Sequence, residues 1–337
     1  MRIAIRADAS INQGTGHVMR CITLAKSLKA KGVEVTILSS IEGIPWLTKY
    51  VQASGIQLED TQHGSLDSSW PKWLSFDLVI VDSYEINARE ISMLNEKVPV
   101  LALIDGDNRG ISASIYLDQN LGSEVNAKKS LYASSLTLFG SRYALVRAEV
   151  LAARKQSVLP QMALENRKLL VFLGGTDPHN YVIEIANFLA RTRIKSITYI
   201  APKSSHYDIL NLMRGRNCEV FEFTQELPKL IAQFDAVISA SGTSAWDIAT
   251  IGMPGGFLCV AENQQDSILS IERFGIGLNL GNLTNSAFSE AQFTSRVERL
   301  VYDDDLRTNI FKQCRTNFDG KGSVRVTEAV LTYLQAR

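Results

Sequence analysis

The sequence lacks an excess of charge of either sign, since its 337 residues include 35 Lys and Arg and 35 Asp and Glu. A balanced chain has no basic field to attract nucleic acid or an anionic membrane, so no nucleic-acid partner is expected and any anionic ligand must be bound by local groups. No apolar run approaches the ~20 residues of a membrane span. The first ten residues, with Arg6 and Asp8 after a short apolar run, differ from a signal peptide. We therefore expect a cytoplasmic protein without a membrane span.

Cysteine is also scarce, and its spacing excludes two kinds of site. The four cysteines are far apart and form no CxxC pair; they are Cys21, Cys218, Cys259 and Cys314. This spacing indicates neither a zinc site nor a disulfide framework, so we expect reduced thiols. The prediction for the whole chain includes no metal and no cofactor. No long heptad or exposed apolar stripe is evident, and a monomer is expected.

The composition is that of a globular protein, with 45% hydrophobic and 21% charged residues. Its length exceeds what one core usually supports and predicts two domains. Short β-type runs alternate with segments of helical period, which predicts an α/β fold with parallel strands. The predicted strands lie at 2–6, 33–38, 77–82, 98–105, 135–140, 169–175, 196–201, 218–223, 235–240 and 255–260.

The alternation is interrupted once, which predicts a domain boundary. The stretch 152–168 has mixed charge, one proline and no clear period. We predict an N-terminal domain over 1–150, a linker over 151–167 and a C-terminal domain over 168–337, closed by a helix from about Val324 to Gln335. In doubly wound domains ligands bind beyond the carboxyl ends of the strands, so the loops there are the candidate sites.

The first candidate loop reads "SINQGTGHVMRCITL". Gly14 and Gly16 allow positive φ and close backbone approach, and His17 follows at the start of a predicted helix. The exposed N–H groups of a helix N-terminus disfavour an imidazolium, which favours a neutral His17 able to act as a general base. The alternative is a histidine that only hydrogen-bonds its own turn.

The same loop is not a dinucleotide fingerprint. In "GTGHVMR" the residues Met19 and Arg20 occupy the place of the third glycine of GxGxxG. This removes most of the support for an oxidoreductase.

The second candidate loop, "VFLGGTDPHN", ends a strand at Gly174 and Gly175. A glycine turn that leads into a helix N-terminus suits a phosphate. Thr176 and Asp177 are placed to cap the next helix, and a plain strand-to-helix turn is the alternative.

The third candidate loop, in "VISASGTSAWDIATIGMPG", gathers more small polar residues than a cap requires; they are Ser239, Ser241, Gly242, Thr243 and Ser244. Hydroxyls and bare N–H groups there predict a diphosphate site, and Asp247 lies one turn further on, able to bond ribose hydroxyls. In "AENQQD", Asn263 and Gln264 follow another strand and are placed to bind sugar hydroxyls or orient water, or else to cap a helix.

Several stretches together resemble one known family. They are "RADAS…GTGHVMRCITLAKSLKAKG", "DLVIVDSYEIN", "YALVR", "FLGGTDPHN", "ISASGTSAWDIATIGMP" and "ENQ". They resemble the nucleotide-sugar hydrolases of pseudaminic acid biosynthesis, which remove UDP from UDP-2,4-diacetamido-2,4,6-trideoxy-β-L-altropyranose. The likeness runs from Arg2 to about Arg273. That family is similar in fold to the peptidoglycan glycosyltransferase that makes lipid II, which implies the GT-B type: two Rossmann-like domains facing across a cleft.

The resemblance implies that the C-terminal domain binds UDP and that the N-terminal domain faces the sugar. It matches His17 to the family's catalytic histidine, Tyr84 to its cleft tyrosine and Asn263 to its active-site asparagine. Asp247 stands where the family usually has a glutamate, one methylene longer. The substrate-binding residues expected with them are Gly14, Gly16, Arg20, Gly174, Gly175, Thr176, Ser241, Gly242, Thr243, Asp247 and Gln264.

The acidic stretch "IDGDNRG" departs from the family pattern. Gly106 separates Asp105 from Asp107, where the family more often has two adjacent acidic residues. Neither aspartate is included in the predicted site.

The activity implied is metal-independent hydrolysis at the anomeric carbon, with His17 as base, inversion of configuration and UDP as leaving group. Two alternatives remain. A GT-B glycosyltransferase would use the same histidine to activate a sugar hydroxyl, and a silent UDP-sugar binding protein would need only the second-domain loops.

Overall fold

A computed structural model describes residues 1–66, 70–106, 109–126, 132, 135–157, 159 and 163–337. Asp107, named above, lies outside the described residues. The chain divides into two compact units, one formed by Met1–Val146 with Gly320–Arg337 and the other by Arg147–Asp319.

The first unit is built on a seven-stranded sheet whose recorded strand pairs are all parallel, in the order β5-β3-β1-β6-β7-β8-β9. Its strands are β1 (Arg2–Ala7), β3 (Glu34–Leu38), β5 (Gln57–Glu59), β6 (Leu78–Asp82), β7 (Val100–Leu103), β8 (Ile115–Asp118) and β9 (Leu136–Phe139), and a separate pair is formed by β2 (Ala9–Ser10) and β4 (Ile41–Glu42). Its helices up to this point are α1 (Gly16–Lys29), α2 (Pro45–Ala53), α3 (Trp70–Trp73), α4 (Ala88–Asn95) and α5 (Ser123–Asn126).

The central strands are apolar on both faces because a parallel sheet is covered by helices on both sides. All five residues of β6 are buried. Helix α1 has one apolar face buried against the sheet, since Val18, Cys21, Leu24, Ala25 and Leu28 are each 0% exposed.

The second unit is built on a six-stranded sheet, in the order β12-β11-β10-β13-β14-β15, again with parallel pairs throughout its recorded ladders. Its strands are β10 (Lys168–Phe172), β11 (Ser196–Ile200), β12 (Asn217–Phe221), β13 (Ala236–Ala240), β14 (Gly255–Cys259) and β15 (Leu278–Asn282). Its helices are α6 (Ala148–Gln156), α7 (Tyr181–Leu189), α8 (His206–Leu212), α9 (Leu227–Ile231), α10 (Thr243–Ile251), α11 (Gln265–Arg273), α12 (Glu290–Tyr302) and α13 (Asp304–Asn317).

Local capping residues fix where several of these helices begin or end. Ser289 accepts a hydrogen bond from the Gln292 N–H at the start of α12, and Asp303 accepts one from the Leu306 N–H at the start of α13. Helix α10 ends at Gly252, whose φ of 89° is the left-handed conformation that glycine adopts without strain.

The closing helix α14 (Gly322–Gln335) differs from the predicted domain boundaries, because it belongs to the first unit. Val326 and Val330 are fully buried in the same apolar core as α1. The Ser27 hydroxyl donates to the Ser323 carbonyl over 3.2 Å. A Cβ at position 322 would collide with the Ala144 backbone, so only glycine permits this approach. The sequence predicts that the tail is helical, but it does not indicate which of the two cores the helix covers.

The predicted linker 151–167 also differs from the structure. Its first residues continue α6, which lies in the second unit, and the Arg154 guanidinium donates to the Thr250 carbonyl of α10 over 2.5 Å. Positions 158 and 160–162 of that stretch lie outside the described residues. Across the described chain, no helix has the length and apolarity needed to cross a membrane.

Candidate active site

The carboxyl ends of β1, β6 and β7 lie side by side, because these parallel strands are neighbours in the first sheet. Helix α1 begins just beyond β1, while Asp82 ends β6 and Asp105 follows β7 by two residues. This sheet edge is where doubly wound folds place their ligands.

His17 and Asp82 form a buried pair at this edge. The His17 Nδ1 lies 2.6 Å from the Asp82 Oδ1, and the two residues are 8% and 1% exposed. Burial alone would raise the pKa of the Asp82 carboxyl, but the charge and hydrogen bonds of Arg20, together with those of His17, more than offset burial and hold that pKa well below its usual range. An ionised carboxylate only accepts hydrogen bonds, so the Nδ1 atom carries the proton. In the neutral ring that the helix N-terminus favours, the other nitrogen, Nε2, is an acceptor, and no described residue bonds it.

Arg20 joins two carboxylates and thereby builds the cluster. Its Nε and Nη2 each lie 2.6 Å from an Asp82 oxygen, and its Nη1 and Nη2 lie 3.1 and 2.9 Å from the two Asp105 oxygens. Burial would lower the pKa of Arg20, but Asp105 and Asp82 outweigh burial and raise it, so the guanidinium is charged. Arg20, which was predicted to contact the substrate, therefore uses these N–H groups to bind both the Asp82 and the Asp105 carboxylate.

Tyr84 stands against both the histidine and the second carboxylate. Its ring meets the His17 ring edge to face, with centroids 5.0 Å apart and an interplanar angle of 85°. Its hydroxyl donates to the Asp105 Oδ2. Burial and the Asp105 charge raise the pKa of the phenol, while Arg20 lowers the pKa of Asp105 against the effect of burial. The phenol is therefore protonated and the carboxylate ionised.

Asp105 also receives the Asn120 amide, whose Nδ2 lies 3.0 Å from its Oδ1. Nearby, Asp118 accepts the Gly106 N–H over 2.9 Å, and burial together with the Asp105 charge raises its pKa to about 7. Asp105 was left out of the predicted site, yet the structure places it at the centre of the polar cluster. Its position just beyond the end of a buried strand is the signal that could have identified it.

The loop that leads into α1 leaves the helix N-terminus open. Gly14 has a φ of 84°, and its N–H donates to the Ser10 carbonyl over 2.8 Å. Gly16 begins the helix with ordinary helical φ, so positive φ is needed only at the first of the two glycines. Thr15 makes no side-chain cap with the described residues, and the first N–H groups of α1 point to the same edge as His17.

In the second unit, three predicted loops leave adjacent strands at one sheet edge, because β13 pairs with both β10 and β14. Gly174, with φ of 103°, and its neighbours Gly175 and Thr176 follow β10. Asp177 caps α7 by accepting the N–H groups of Tyr181 and Val182 over 3.0 and 2.9 Å, as its predicted capping role requires.

The loop after β13 is held by hydrogen bonds to the neighbouring strand and loop, and it leads into a helix start that has no side-chain cap. The buried Ser241 hydroxyl donates to the Leu258 carbonyl over 3.1 Å, and Gln264 accepts the Val260 N–H over 3.1 Å. Gln264 therefore braces two loops in this structure. Gly242 is the N-cap of α10 and offers no side chain, and the Ala245 N–H donates to its carbonyl over 2.9 Å. The N–H groups of Thr243 and Ser244 have no side-chain cap among the described residues. Such a helix start suits a phosphate.

Asp247 lies one turn into α10 and is paired with Arg147. The Arg147 Nη2 lies 2.8 Å from the Asp247 Oδ2. Burial raises the pKa of Asp247, and the Arg147 charge acts against that rise. The pairing uses one carboxylate oxygen and leaves Oδ1 for another donor. Asn263 is exposed in a short 3-10 turn, and no described residue hydrogen-bonds its side chain.

The structure thus gathers His17, Arg20 and Tyr84 in the first unit and the predicted nucleotide loops in the second. Three partners were missed: Asp82, Asp105 and Arg147. Asp82 lies within the stretch "DLVIVDSYEIN" and Arg147 ends the stretch "YALVR", but Arg20 and Asp247, which pair with them, are 62 and 100 residues away. Among the described residues, no group of three or more His, Cys, Asp or Glu side chains is placed to hold a metal ion.

Comparison with curated proteins finds distant relatives. The chain is 23% identical to the spore coat polysaccharide biosynthesis protein SpsG of Bacillus subtilis, over 97% of both chains. It is 24% identical to a UDP-2,4-diacetamido-2,4,6-trideoxy-β-L-altropyranose hydrolase of Campylobacter jejuni, over 82% of this chain and 97% of that protein. No protein-family model matches the chain.

Comparison with solved structures confirms the predicted fold. MurG of Acinetobacter baumannii superposes with a TM-score of 0.70 at 14% identity, covering 98% of this chain and 100% of that one. UDP-GlcNAc 2-epimerase of Neisseria meningitidis, solved with UDP-GlcNAc bound, gives a TM-score of 0.67 at 12% identity, with 98% and 100% covered. The chain therefore has an α/β fold of the GT-B type with two Rossmann-like domains.

Proposed function

We propose that this protein is a nucleotide-sugar hydrolase that releases UDP from UDP-2,4-diacetamido-2,4,6-trideoxy-β-L-altropyranose or a close relative, in pseudaminic acid biosynthesis. The observation that carries the proposal is the His17–Asp82 pair, in which Nδ1 is bound at 2.6 Å and no described residue bonds Nε2. The name of the Campylobacter jejuni relative supports the choice of substrate.

His17 acts as the general base. Its Nε2 takes a proton from water, the water oxygen bonds to the anomeric carbon, and the bond from that carbon to the diphosphate oxygen breaks with its electron pair leaving on UDP. Attack opposite the leaving group inverts the anomeric configuration. The Asp82 carboxylate fixes the ring tautomer and stabilises the imidazolium that forms.

The second unit supplies the leaving-group site. A departing diphosphate needs hydrogen-bond donors that stabilise its negative charge, and it needs little protonation. The N–H groups at the start of α10 provide such donors, together with the neighbouring Gly174, Gly175 and Thr176. The Asp247 Oδ1 accepts from a ribose hydroxyl. Tyr84 and Asn263 contact water or the acetamido groups.

The test is a proton and phosphorus NMR time course with the named UDP-sugar, in EDTA and without an acceptor. Release of UDP and inverted free sugar by the wild type, with loss of both in His17→Ala, supports the proposal and its metal independence. UDP release only when an acceptor sugar is added would indicate a glycosyltransferase instead. Tight UDP binding without turnover of any nucleotide sugar would indicate a binding protein.

A further inference from the structure

We infer that Tyr84 and His17 together select a nucleophile with two protons, so that the site activates water in preference to an alcohol or sugar hydroxyl. The inference rests on the proposed hydrolase function and names the groups that set its choice of nucleophile. It follows from counting the hydrogen-bond donors and acceptors that the buried cluster leaves available.

Tyr84 has one proton, and Asp105 holds it. The Asp105 carboxylate is ionised because Arg20 lies 2.9 and 3.1 Å from its oxygens, so the phenol must be the donor in the Tyr84–Asp105 hydrogen bond. The hydroxyl oxygen of Tyr84 then has only lone pairs to offer, and it acts toward a ligand as an acceptor.

His17 is constrained in the same way. Asp82 is ionised and accepts a hydrogen bond from Nδ1 over 2.6 Å, so in the neutral ring that a helix N-terminus favours, Nε2 offers a lone pair. Both side chains are held through carboxylate oxygens that bind one guanidinium nitrogen. Arg20 Nη2 donates over 2.6 Å to Asp82 Oδ1, which His17 bonds, and over 2.9 Å to Asp105 Oδ2, which Tyr84 bonds. With their rings in edge contact at 5.0 Å, the histidine and tyrosine form one rigid assembly.

Two acceptors are satisfied by a molecule with two donors. A water molecule gives one O–H to His17 Nε2 and the other to the Tyr84 oxygen. An alcohol has a single O–H, and His17 takes that proton. The alkyl carbon of the alcohol then faces the Tyr84 oxygen, which loses its hydrogen-bond donor, and this costs free energy.

Asp105 is the positioning residue in this arrangement, and replacing it predicts a specific change. In Asp105→Asn, one amide oxygen replaces two carboxylate oxygens. With that oxygen toward Asn120 Nδ2 and Arg20 Nη1, the amide N–H group takes the Oδ2 position, and Arg20 Nη2 keeps its bond to Asp82. The new amide N–H group then faces Tyr84, whose oxygen accepts from it and whose own proton turns toward the ligand. Tyr84 becomes a donor, and the preference for water weakens.

The experiment measures solvolysis of the UDP-sugar in water containing a fixed proportion of methanol. The ratio of methyl glycoside to free sugar is read by proton NMR for wild type, Tyr84→Phe, Asp105→Asn and a control, Tyr50→Phe. Tyr50 lies in the same unit, and its hydroxyl accepts from the Lys26 ammonium over 3.3 Å. Tyr84→Phe is expected to raise the ratio roughly 2- to 10-fold, the size of one hydrogen bond. Asp105→Asn should shift it in the same direction and Tyr50→Phe should leave it unchanged.

The outcomes separate this inference from the proposed function. A wild type that releases no free sugar contradicts both. A wild type that hydrolyses the substrate, with the same product ratio in Tyr84→Phe, overturns the inference and leaves the hydrolase function in place. A purely structural role for Tyr84 would slow both products equally and leave their ratio unchanged.

Discussion

Asp82 receives the Nδ1 proton of His17 over 2.6 Å, although the two residues are 65 positions apart in the chain. The pairing joins the first turn of α1 to the last residue of β6, and it decides which ring nitrogen is available to a ligand. A histidine at a helix N-terminus becomes an oriented base only through this contact.

Replacement of His17 tests the base directly. In His17→Ala we expect UDP release to fall by about 100-fold to 10,000-fold, the usual contribution of a general base. Binding of UDP, measured by calorimetry, should be unchanged because the predicted nucleotide residues lie in the second unit. His206→Ala is the matched control, since His206 is bonded to the Ala201 carbonyl of the second unit. Equal loss in both variants would argue against a specific role for His17.

Replacement of Asp82 should affect both catalysis and stability. Asp82→Asn leaves the Arg20 charge buried with one carboxylate partner fewer, which is expected to cost on the order of 3–5 kcal/mol of unfolding free energy. The pKa of Asp82 is lowered on folding. Its stabilising effect is therefore present above the unfolded pKa of about 4 and is lost as the pH falls below that value.

Urea unfolding at several pH values checks this prediction. The gap between wild type and Asp82→Asn should be widest above pH ~4 and narrow in more acidic buffer. Asp77→Asn, at an exposed carboxylate that accepts the Arg2 N–H over 2.7 Å, is the control and should show a much smaller gap. A gap that grows on acidification would contradict the assigned ionisation.

Asp118 predicts the opposite pH dependence. Its pKa is raised on folding to about 7, so the folded state binds a proton that the unfolded chain has released. The contribution of Asp118 to stability therefore falls as the pH rises from about 4 to about 7, and it is level above that range. In Asp118→Asn this slope should be absent, so the stability of the variant relative to wild type should increase across the same interval. Parallel stability curves would refute the raised pKa.

Asp247 predicts recognition of ribose. Asp247→Asn retains the shape and still offers one oxygen to Arg147, but its N–H group then faces the nucleotide in place of an acceptor. We expect the wild type to prefer UDP over 2′-deoxy-UDP by roughly tenfold, the effect of one charge-assisted hydrogen bond. The variant should lose this preference, as measured by titration calorimetry. Glu226→Gln, at an exposed helix cap of the same unit, should keep it.

Gly242 tests the phosphate site without disturbing the fold. Its φ is −87°, and a Cβ there would meet only Gln264 Nε2 at 3.5 Å, an ordinary contact. Gly242→Ala should therefore fold with nearly wild-type stability, yet its methyl group would stand where a phosphate approaches the start of α10. Weaker UDP binding at unchanged unfolding free energy is expected. Unchanged affinity would place the diphosphate elsewhere.

The sequence by itself determined the local features of this protein. The alternation of apolar runs and helical periods predicted ten of the parallel strands. All of these but β9 and β12 are buried over most of their length, and burial on both faces leaves a plain apolar signature. Three strands of the two sheets were not predicted: β5, Gln57–Glu59, β8, Ile115–Asp118, and β15, Leu278–Asn282. The first two are short, and β15 is only partly buried and carries polar residues. The glycine turns and His17 were also visible, because a helix start is a local event.

Only the tertiary structure decided which groups meet. Asp82 and Asp105 are ordinary strand-end aspartates until the order β1-β6-β7 brings them to Arg20, and their ionisation depends on that shared burial and charge. The closing helix α14 likewise has a readable period, but its assignment to the first unit depends on an apolar surface formed more than 280 residues earlier, where Ser27 meets Ser323. Long-range contacts of this kind carry no local pattern, because they arise from strand order and not from spacing along the chain.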